Sequence, residues 1–439
     1  MKSYPLQQIL YGPPGTGKSN YIEEVILLES HIRTTFHPDS DYSTFVGTYK
    51  PTMSRDNNKY RLNLSVEELA EKLKQYYSNT ALGKTGGLQK FCIEYHDYFD
   101  DDSVSYKDVL KSAGLSEKYG TEIYKYFKFL ELMPETEDKI VYRFVPQAFL
   151  KAYCAAWKQM PKPFFLVIEE INRGNCAQIF GDIFQLLDRK ADGFSKYGIV
   201  ADDDIQQFLC CDKVVGFGSL DPLQKERIPK KVWQGTELIL PPNLHIWATM
   251  NTSDQSLFPI DSAFKRRWEW KYMKIANGYK KDKMGKFILD GEGKKVPIDW
   301  KIDIKIKDGQ EVSWWSFLKK INIIIASMTS SADKQLGYFF CKADKKLNDT
   351  DETETVISID SFVGKVLFYL WNDVFRDYGF EDSSLFRYKS KEPDEEKESE
   401  KELTFPDFYC EDGDCVNRKR VSDFVEKVMA WERTDDKTD

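Results

Sequence analysis

The sequence has no apolar run that approaches a bilayer span, and its N-terminus lacks the charged-then-apolar pattern of a secretory signal. A membrane partner is therefore not expected, and a cytoplasmic location is. Histidine is scarce, at four residues in 439, and the eight cysteines include the adjacent Cys210 and Cys211. Such a distribution makes no disulfide framework, and Cys410 and Cys415 have neither a second pair nor a nearby histidine to complete a zinc site. The cysteines are expected to be reduced and structural. Positive charge is also in deficit: a net charge of -8 argues against a surface coated for nucleic acid and leaves room only for a local basic groove. What is there, 41% hydrophobic and 14% aromatic residues over 439 positions, describes a globular chain of two or three domains.

The chemistry begins almost at once. Residues 11–19 read YGPPGTGKS and fit the phosphate-cradling pattern G-x-x-x-x-G-K-[ST] at every fixed position. Leu6, Ile9 and Leu10 before it read as a buried strand, and NYIEEVILL (residues 20–28) after it has the apolar spacing of a helix. In that context Gly12, Pro13, Pro14, Gly15, Thr16 and Gly17 form a loop whose N–H groups, with the helix dipole, face the phosphates. Lys18 meets the outer phosphates and Ser19 offers a hydroxyl to Mg2+. A glycine turn arising by chance would not carry the full spacing and both flanking elements together.

Two later runs end at the same place. FFLVIEE (residues 164–170) is a continuous apolar segment closing in two acids, the pattern of a central parallel strand whose carboxyl end faces a ligand crevice. Glu169 there would hold Mg2+ through its water shell, and Glu170 would polarise the attacking water. LHIWATM (residues 244–250) is a second buried strand and delivers Asn251, an amide able to hydrogen-bond water or the γ-phosphate, or else an ordinary turn residue. Residues 171–189 have helical spacing after a first polar turn with Asn172, Arg173 and Asn175. Lys265, Arg266 and Arg267 end a further helix, where three cations either complement the dipole or reach a neighbour's nucleotide.

With these residues in view, FHPDSDYSTFVGTYKP, FFLVIEEINRGNCAQIFGDIFQLLDR and NLHIWATMNTSDQSLFPIDSAFKRRWEW resemble the AAA+ motor subunit McrB of modification-dependent restriction systems, in the dynein-related, helix-2-insert group. The resemblance covers most of residues 5–275. It implies a hexameric ring, GTP favoured over ATP as substrate, Mg2+, and an McrC-like nuclease partner through which DNA is engaged. Asn251 and Asp254 then match an N-x-x-D signature, Glu169 and Glu170 the Walker B acids, and Arg266 or Arg267 the arginine finger. Glu169 stands where the family usually has Asp, and Gln255 where an Arg follows the signature. The lid segment lacks a G-H-S pattern. A nucleotide-gated assembly module and a MoxR-like chaperone share the same parts. No DNA-reading domain is expected before the phosphate loop, so either base recognition comes from a partner or the system does not read modified DNA.

The expected architecture is α/β: an AAA+ P-loop core, a parallel sheet flanked by helices, over residues 1–51 and 140–275, with a helical insertion at 52–139 and a C-terminal helical lid at 313–388. A lysine-rich hairpin region (276–312), a charged linker (389–404) and a small C-terminal element (405–439) complete it. In the insertion, VEELAEKLKQYY, LQKFCIEYHDYF and YGTEIYKYFKFLELM have helical spacing, and their Tyr/Phe stripes read as core faces. The lysines of 276–312, without aromatics interleaved on one face, read as a protected hairpin edge.

Overall fold

The apolar run after Leu6 forms strand β1 (Gln7–Gly12), and the glycine-rich loop turns the chain directly into the helix Lys18–Val25. Ile22 of that helix and Ile26 just beyond it pack on Leu10, Phe165, Val167 and Trp247, which buries one face of the sheet. The helix stops short of the expected residue 28: Glu29 N–H turns back to the Ile26 carbonyl at 2.8 Å, and Leu28 is left 94% exposed. The computed structural model describes residues 4–54, 65–78, 83–95, 105–116, 118–120, 123, 125, 139–252, 258–282, 285–329, 331–347, 352–376, 385–390 and 399–432.

The remaining strands of the first part of the chain are β2 (Ser30–Thr35), β3 (Gly47–Ser54), β4 (Lys139–Pro146), β5 (Phe164–Glu169), β6 (Ile199–Val200), β7 (Glu237–Leu238), β8 (Leu244–Asn251) and β9 (Glu269–Tyr272). Five of them form one sheet in the order β2-β5-β8-β1-β9, and every pairing in it is parallel. The α/β core with a helix-flanked parallel sheet is as expected. Continuous burial explains why β5 and β8 were legible as apolar runs, while β2, at the edge, alternates exposed and half-buried residues. From β1 the chain goes out to the β2 edge, returns through β5 and β8, then passes β1 to reach β9. The phosphate loop thus leaves β1 where the connections diverge, the usual ligand crevice of an open α/β sheet.

Residues 171–189 are not one helix. They divide into the 3-10 turn Ile171–Arg173, the α-helix Cys176–Phe180 capped by Asn175, and the 3-10 helix Gly181–Leu187, with the break at Gly181, whose φ is +48. Ile179, Phe180, Ile183, Leu186 and Leu187 are all buried, so the apolar spacing reflects a broken segment wrapped onto the core rather than a straight helix.

Beyond β9 the chain adds a four-stranded sheet to the helices expected there, in the order β11-β10-β13-β12, from β10 (Lys301–Lys305), β11 (Glu311–Ser313), β12 (Asp344–Leu347) and β13 (Glu352–Ile357). The helix Trp314–Thr329 and the C-terminal helix Arg418–Ala430 share one core with it, built on Trp314, Phe317, Ile321, Ile357, Phe424 and Val428. Residues 362–374, read as helix, contain π-helical turns at Phe362–Leu367 and Leu370–Val374. Two readings are corrected here. Cys410 and Cys415 are not reduced but disulfide-bonded, because the turn between them brings their Cα atoms to 5.5 Å. The lysine-rich segment also carries aromatics: Tyr279 and Phe287 lie ring to ring at 6.2 Å, and Lys295 sits 3.8 Å over Phe287.

Residues 48–145 form a separate compact unit, described by itself. Its helices include Val66–Tyr77, Gly83–Tyr95 and Tyr106–Ser112, around a core of Leu69, Leu73, Leu88, Phe91, Val109, Leu110 and Ile123.

Candidate functional site

The phosphate loop is folded on its own lysine. Gly15 and Gly17 hold φ of +76 and +81, and the Lys18 ammonium, buried with 7% of its surface exposed, donates to the Gly12 and Pro13 carbonyls at 2.9 Å each. Thr16 closes the loop by donating to the Pro13 carbonyl at 2.9 Å. Parallel register then aligns the neighbours: Gly12 sits opposite Asn251 on β8, so the loop and Asn251 leave the sheet side by side.

Glu169, at the end of β5, is the meeting point. The Ser19 hydroxyl donates to its Oε2 at 2.8 Å, the Thr249 hydroxyl donates to the same oxygen at 2.5 Å, and Arg33 of β2 pairs with Oε1. Glu170 has left-handed backbone, φ 54 and ψ 50, and among the described residues no other residue besides glycine has positive φ. Such a conformation costs about 1–3 kcal/mol and gathers at functional sites. It is held by the Glu170 N–H donating to Thr249 Oγ1 at 3.0 Å, and by an ion pair of the carboxylate with Arg173 at 2.5 Å. Asn172 braces the adjoining strand by donating from Nδ2 to the Asn251 carbonyl at 2.7 Å, while its buried Oδ1 has no hydrogen-bond partner.

A cavity of about 700 Å³ opens beside Ser19, lined by Gly15, Gly17, Lys18, Ser19, Glu23, Glu24 and Asn251 and closed by Tyr279, Lys281, Ile298, Trp300, Phe339 and Lys342. The segment around Phe339 touches the loop backbone directly. Gly337 N–H donates to the Pro14 carbonyl at 2.8 Å and Phe339 N–H to the Gly15 carbonyl at 2.9 Å. A Cβ on Gly15 would lie 2.4 Å from the Phe340 nitrogen, so only glycine permits this approach.

Of the residues singled out in the sequence, the loop residues 12–19, Glu169, Glu170 and Asn251 come together. Asp254, with Gln255, lies outside the described residues. Arg266 and Arg267 do not join them: they line a different cleft, of about 690 Å³, with Leu6, Gln7 and Glu269, at the amino ends of β1 and β9. The two differ from each other. Arg266 is exposed, whereas Arg267 is 8% exposed, paired with Asp188 at 2.6 Å, bonded to the Ala263 carbonyl at 2.7 Å and laid over Phe184 at 3.9 Å. Sequence reasoning missed Arg33, Thr249 and the Gly337 segment. A threonine inside the buried LHIWATM run was the one available signal, since a hydroxyl there needs a partner.

Comparisons with known proteins accord with a restriction-system context. The chain is 29% identical over 382 residues to the type II restriction enzyme BsuMI component YdiS of Bacillus subtilis, covering 86% of this chain and 81% of that protein. It is 25% identical over 157 residues to the type IV methyl-directed restriction enzyme EcoKMcrB subunit of Escherichia coli. That second match spans 35% of this chain and 25% of its relative. A family model described as an HTH-like domain matches residues 65–134.

Proposed function

We propose that the chain is an McrB-like nucleoside triphosphatase of a restriction system, assembling into a ring and driving a nuclease partner. The observation that carries the reading is the meeting of three strand ends, those of β1, β5 and β8: Lys18, Ser19 and Asn251 line one cavity, and Glu169, which Glu170 follows in the chain, accepts a hydrogen bond from Ser19 at its edge. Its volume suits a nucleotide, and Trp300, Tyr279 and Phe339 supply apolar faces for a base. GTP is favoured on the family resemblance and ATP is the competitor; competition between the two under matched Mg2+ decides the base.

The donors fit a hard cation. Ser19 Oγ and Glu169 Oε2 are adjacent oxygens at the mouth of the loop, and they are the residues that would hold Mg2+. When bound, the ion neutralises charge on the phosphate oxygens. Lys18 binds the outer phosphates. Glu170 orients and deprotonates the attacking water, and Asn251 positions that water or the γ-phosphate. Arg266 has no route to its own protomer's loop, which supports its use on a neighbour's nucleotide, where an arginine stabilises charge on the transferred group.

A shared site is tested by complementation. Lys18→Ala and Arg266→Ala proteins should each be inactive, and mixing them should recreate interfaces with an intact loop and an intact arginine, so that hydrolysis returns. No recovery despite verified co-assembly overturns the ring reading. A second reading, a nucleotide-gated assembly module that hydrolyses slowly, is favoured by one observation: the carboxylate of Glu170 is already paired with Arg173. Faster turnover in Arg173→Ala would support it.

A further inference from the structure

We propose that residues 410–415 form a redox-gated metal site, in which the sulfurs of Cys410 and Cys415, once their disulfide is reduced, hold a zinc-class divalent cation together with the carboxylate of Asp412. The site is separate from the nucleotide cavity, to whose lining this turn contributes nothing.

The turn reads CEDGDC. Spacing in the sequence offers two thiols and no third donor, and the fold supplies the third. The sulfurs of Cys410 and Cys415 and a carboxylate oxygen of Asp412 lie within 4.8 Å of one another, and among the described residues no other trio of such donors gathers so closely. The turn is closed by its backbone as well as by sulfur. Cys410 N–H donates to the Cys415 carbonyl at 2.8 Å, Gly413 N–H donates to the Cys410 carbonyl at 2.8 Å, and Tyr409 pairs with Val416 across an antiparallel bridge. Gly413 takes φ +76, left-handed backbone that glycine adopts without strain. Asp412 is aimed by the turn, its Oδ1 accepting the Asp414 N–H at 3.3 Å. Both feet are anchored, since Phe408 and Val416 are buried in the same core as Val421 and Phe424 of the C-terminal helix. Opening the disulfide therefore removes one closure of several and leaves the three donors together for an incoming ion.

The donor set picks the ion. Reduction passes two electrons from a dithiol to the disulfide: the S–S bond breaks, each sulfur takes one proton, and the dithiol leaves as its own disulfide. The cation then displaces both thiol protons and is held by two thiolates and one carboxylate. Thiolates select zinc over magnesium or calcium, which prefer all-oxygen shells, and three protein ligands leave the fourth tetrahedral position to water. Two sulfurs bound at about 2.3 Å to one tetrahedral ion stand about 3.8 Å apart, a spacing within reach of side chains whose Cα atoms are 5.5 Å apart. Cys410 is half-buried and Asp412 and Cys415 are exposed, so reductant and metal both have access. When oxidised, the same sulfurs are bonded to each other and present no thiolate, so disulfide and metal exclude one another.

The experiment uses the full chain carrying Cys210→Ser and Cys211→Ser, which removes the other thiols that are not buried. The protein is stripped of metal, reduced with a phosphine, freed of reductant without oxygen, and titrated with Co2+ as a coloured stand-in for Zn2+. One Co2+ per chain should bind with a near-ultraviolet sulfur-to-cobalt charge-transfer band, and Zn2+ should abolish the band by displacement. Co2+ held by oxygen ligands at the phosphate loop gives no such band, so it is not mistaken for this site. The unreduced protein should show no band, and Cys410→Ser with Cys415→Ser should remove it from the reduced one. Asp412→Asn should keep the band and weaken Co2+ binding at least about tenfold, since losing a ligand costs no less than losing a group that orients one. Unchanged circular dichroism in these variants separates loss of a ligand from loss of the fold. The proposal is overturned if the reduced chain gives no band, if the band survives replacement of both cysteines, or if Asp412→Asn binds Co2+ as tightly as its parent.

Discussion

The two ends of the central sheet carry opposite kinds of group. At the carboxyl ends stand the carboxylates of Glu169 and Glu170, with Glu169 bonded to the Ser19 hydroxyl and Lys18 bonded to the loop; at the amino ends stand Arg266 and Arg267. The six residues of β1 separate the two ends by about 20 Å. A single side chain is too short to bridge that span. A chemistry that needs both ends must therefore be completed by a second molecule, and the difference between the two arginines says which of them is available. Arg267 is spent on Asp188 and Phe184, while Arg266 faces solvent.

The largest expected effect tests that division. Arg266→Ala should lower turnover by about 10³ to 10⁵, the range for an arginine acting on a transferred phosphoryl group, with unfolding temperature unchanged. Arg267→Ala should do the reverse, lowering stability by about 2–3 kcal/mol by stranding Asp188, with turnover at stable temperatures much less affected. If the two variants behave alike in both measurements, the contrast drawn from their exposure is wrong. At the other end, Glu170→Gln should reduce turnover about 10² to 10⁴-fold while nucleotide remains bound, because an amide keeps the shape but takes no proton. Equal single-turnover rates in variant and wild type would remove Glu170 from the chemistry.

A smaller effect is expected from the segment that seats the loop. A Cβ on Gly337 would lie 2.2 Å from the Gly15 carbonyl carbon and 2.4 Å from the Thr16 nitrogen. Gly337→Ala should thus push the segment off the loop and weaken nucleotide binding by about tenfold, with circular dichroism unchanged; calorimetry showing undiminished affinity would make the approach incidental. The smallest concerns His245, which is buried beside Phe165 and held below its ordinary pKa chiefly by that burial and partly by Arg189, although its bond to the Pro5 carbonyl opposes the shift. The folded state thus prefers the neutral ring, and the unfolded chain takes up the extra proton as pH falls. Stability should decline as pH drops through the ordinary histidine value of 6.5, by no more than about 1.4 kcal/mol per pH unit, and His245→Gln should remove that component.

How much of this was legible depended on how local its cause is. The loop, β1, β5 and β8 could be read because a buried parallel strand appears in sequence as an unbroken apolar run and the loop as fixed glycine spacing. The C-terminal sheet could not: β10 pairs in parallel with β13, and nothing in either segment names the other. Arg33 was opaque for the same reason, since its partner Glu169 lies 136 positions away and only the β2–β5 register brings them together. The Cys410–Cys415 bond failed differently. Counting cysteines for a framework or a zinc site overlooked that one tight turn suffices for a single bridge. Arg266 and Arg267 were indistinguishable as neighbours in a run of cations, because exposure depends on which way each side chain leaves the helix end.

The bonds from Gly337 and Phe339 to the phosphate loop couple two parts of the molecule as a lever would. In the glycine-rich loop, the carbonyls of Pro14 and Gly15 accept bonds from this segment. One residue earlier, Leu336 is clasped at both ends by Asn322: Nδ2 donates to its carbonyl and Oδ1 accepts its N–H, each at 2.8 Å. Asn322 is buried within the helix Trp314–Thr329. A ligand that rotates the two loop peptides must either break both bonds or drag the segment, and with it a sixteen-residue rod, along. Amide exchange at Leu336, Gly337 and Phe339 would record that stroke directly, one proton at a time.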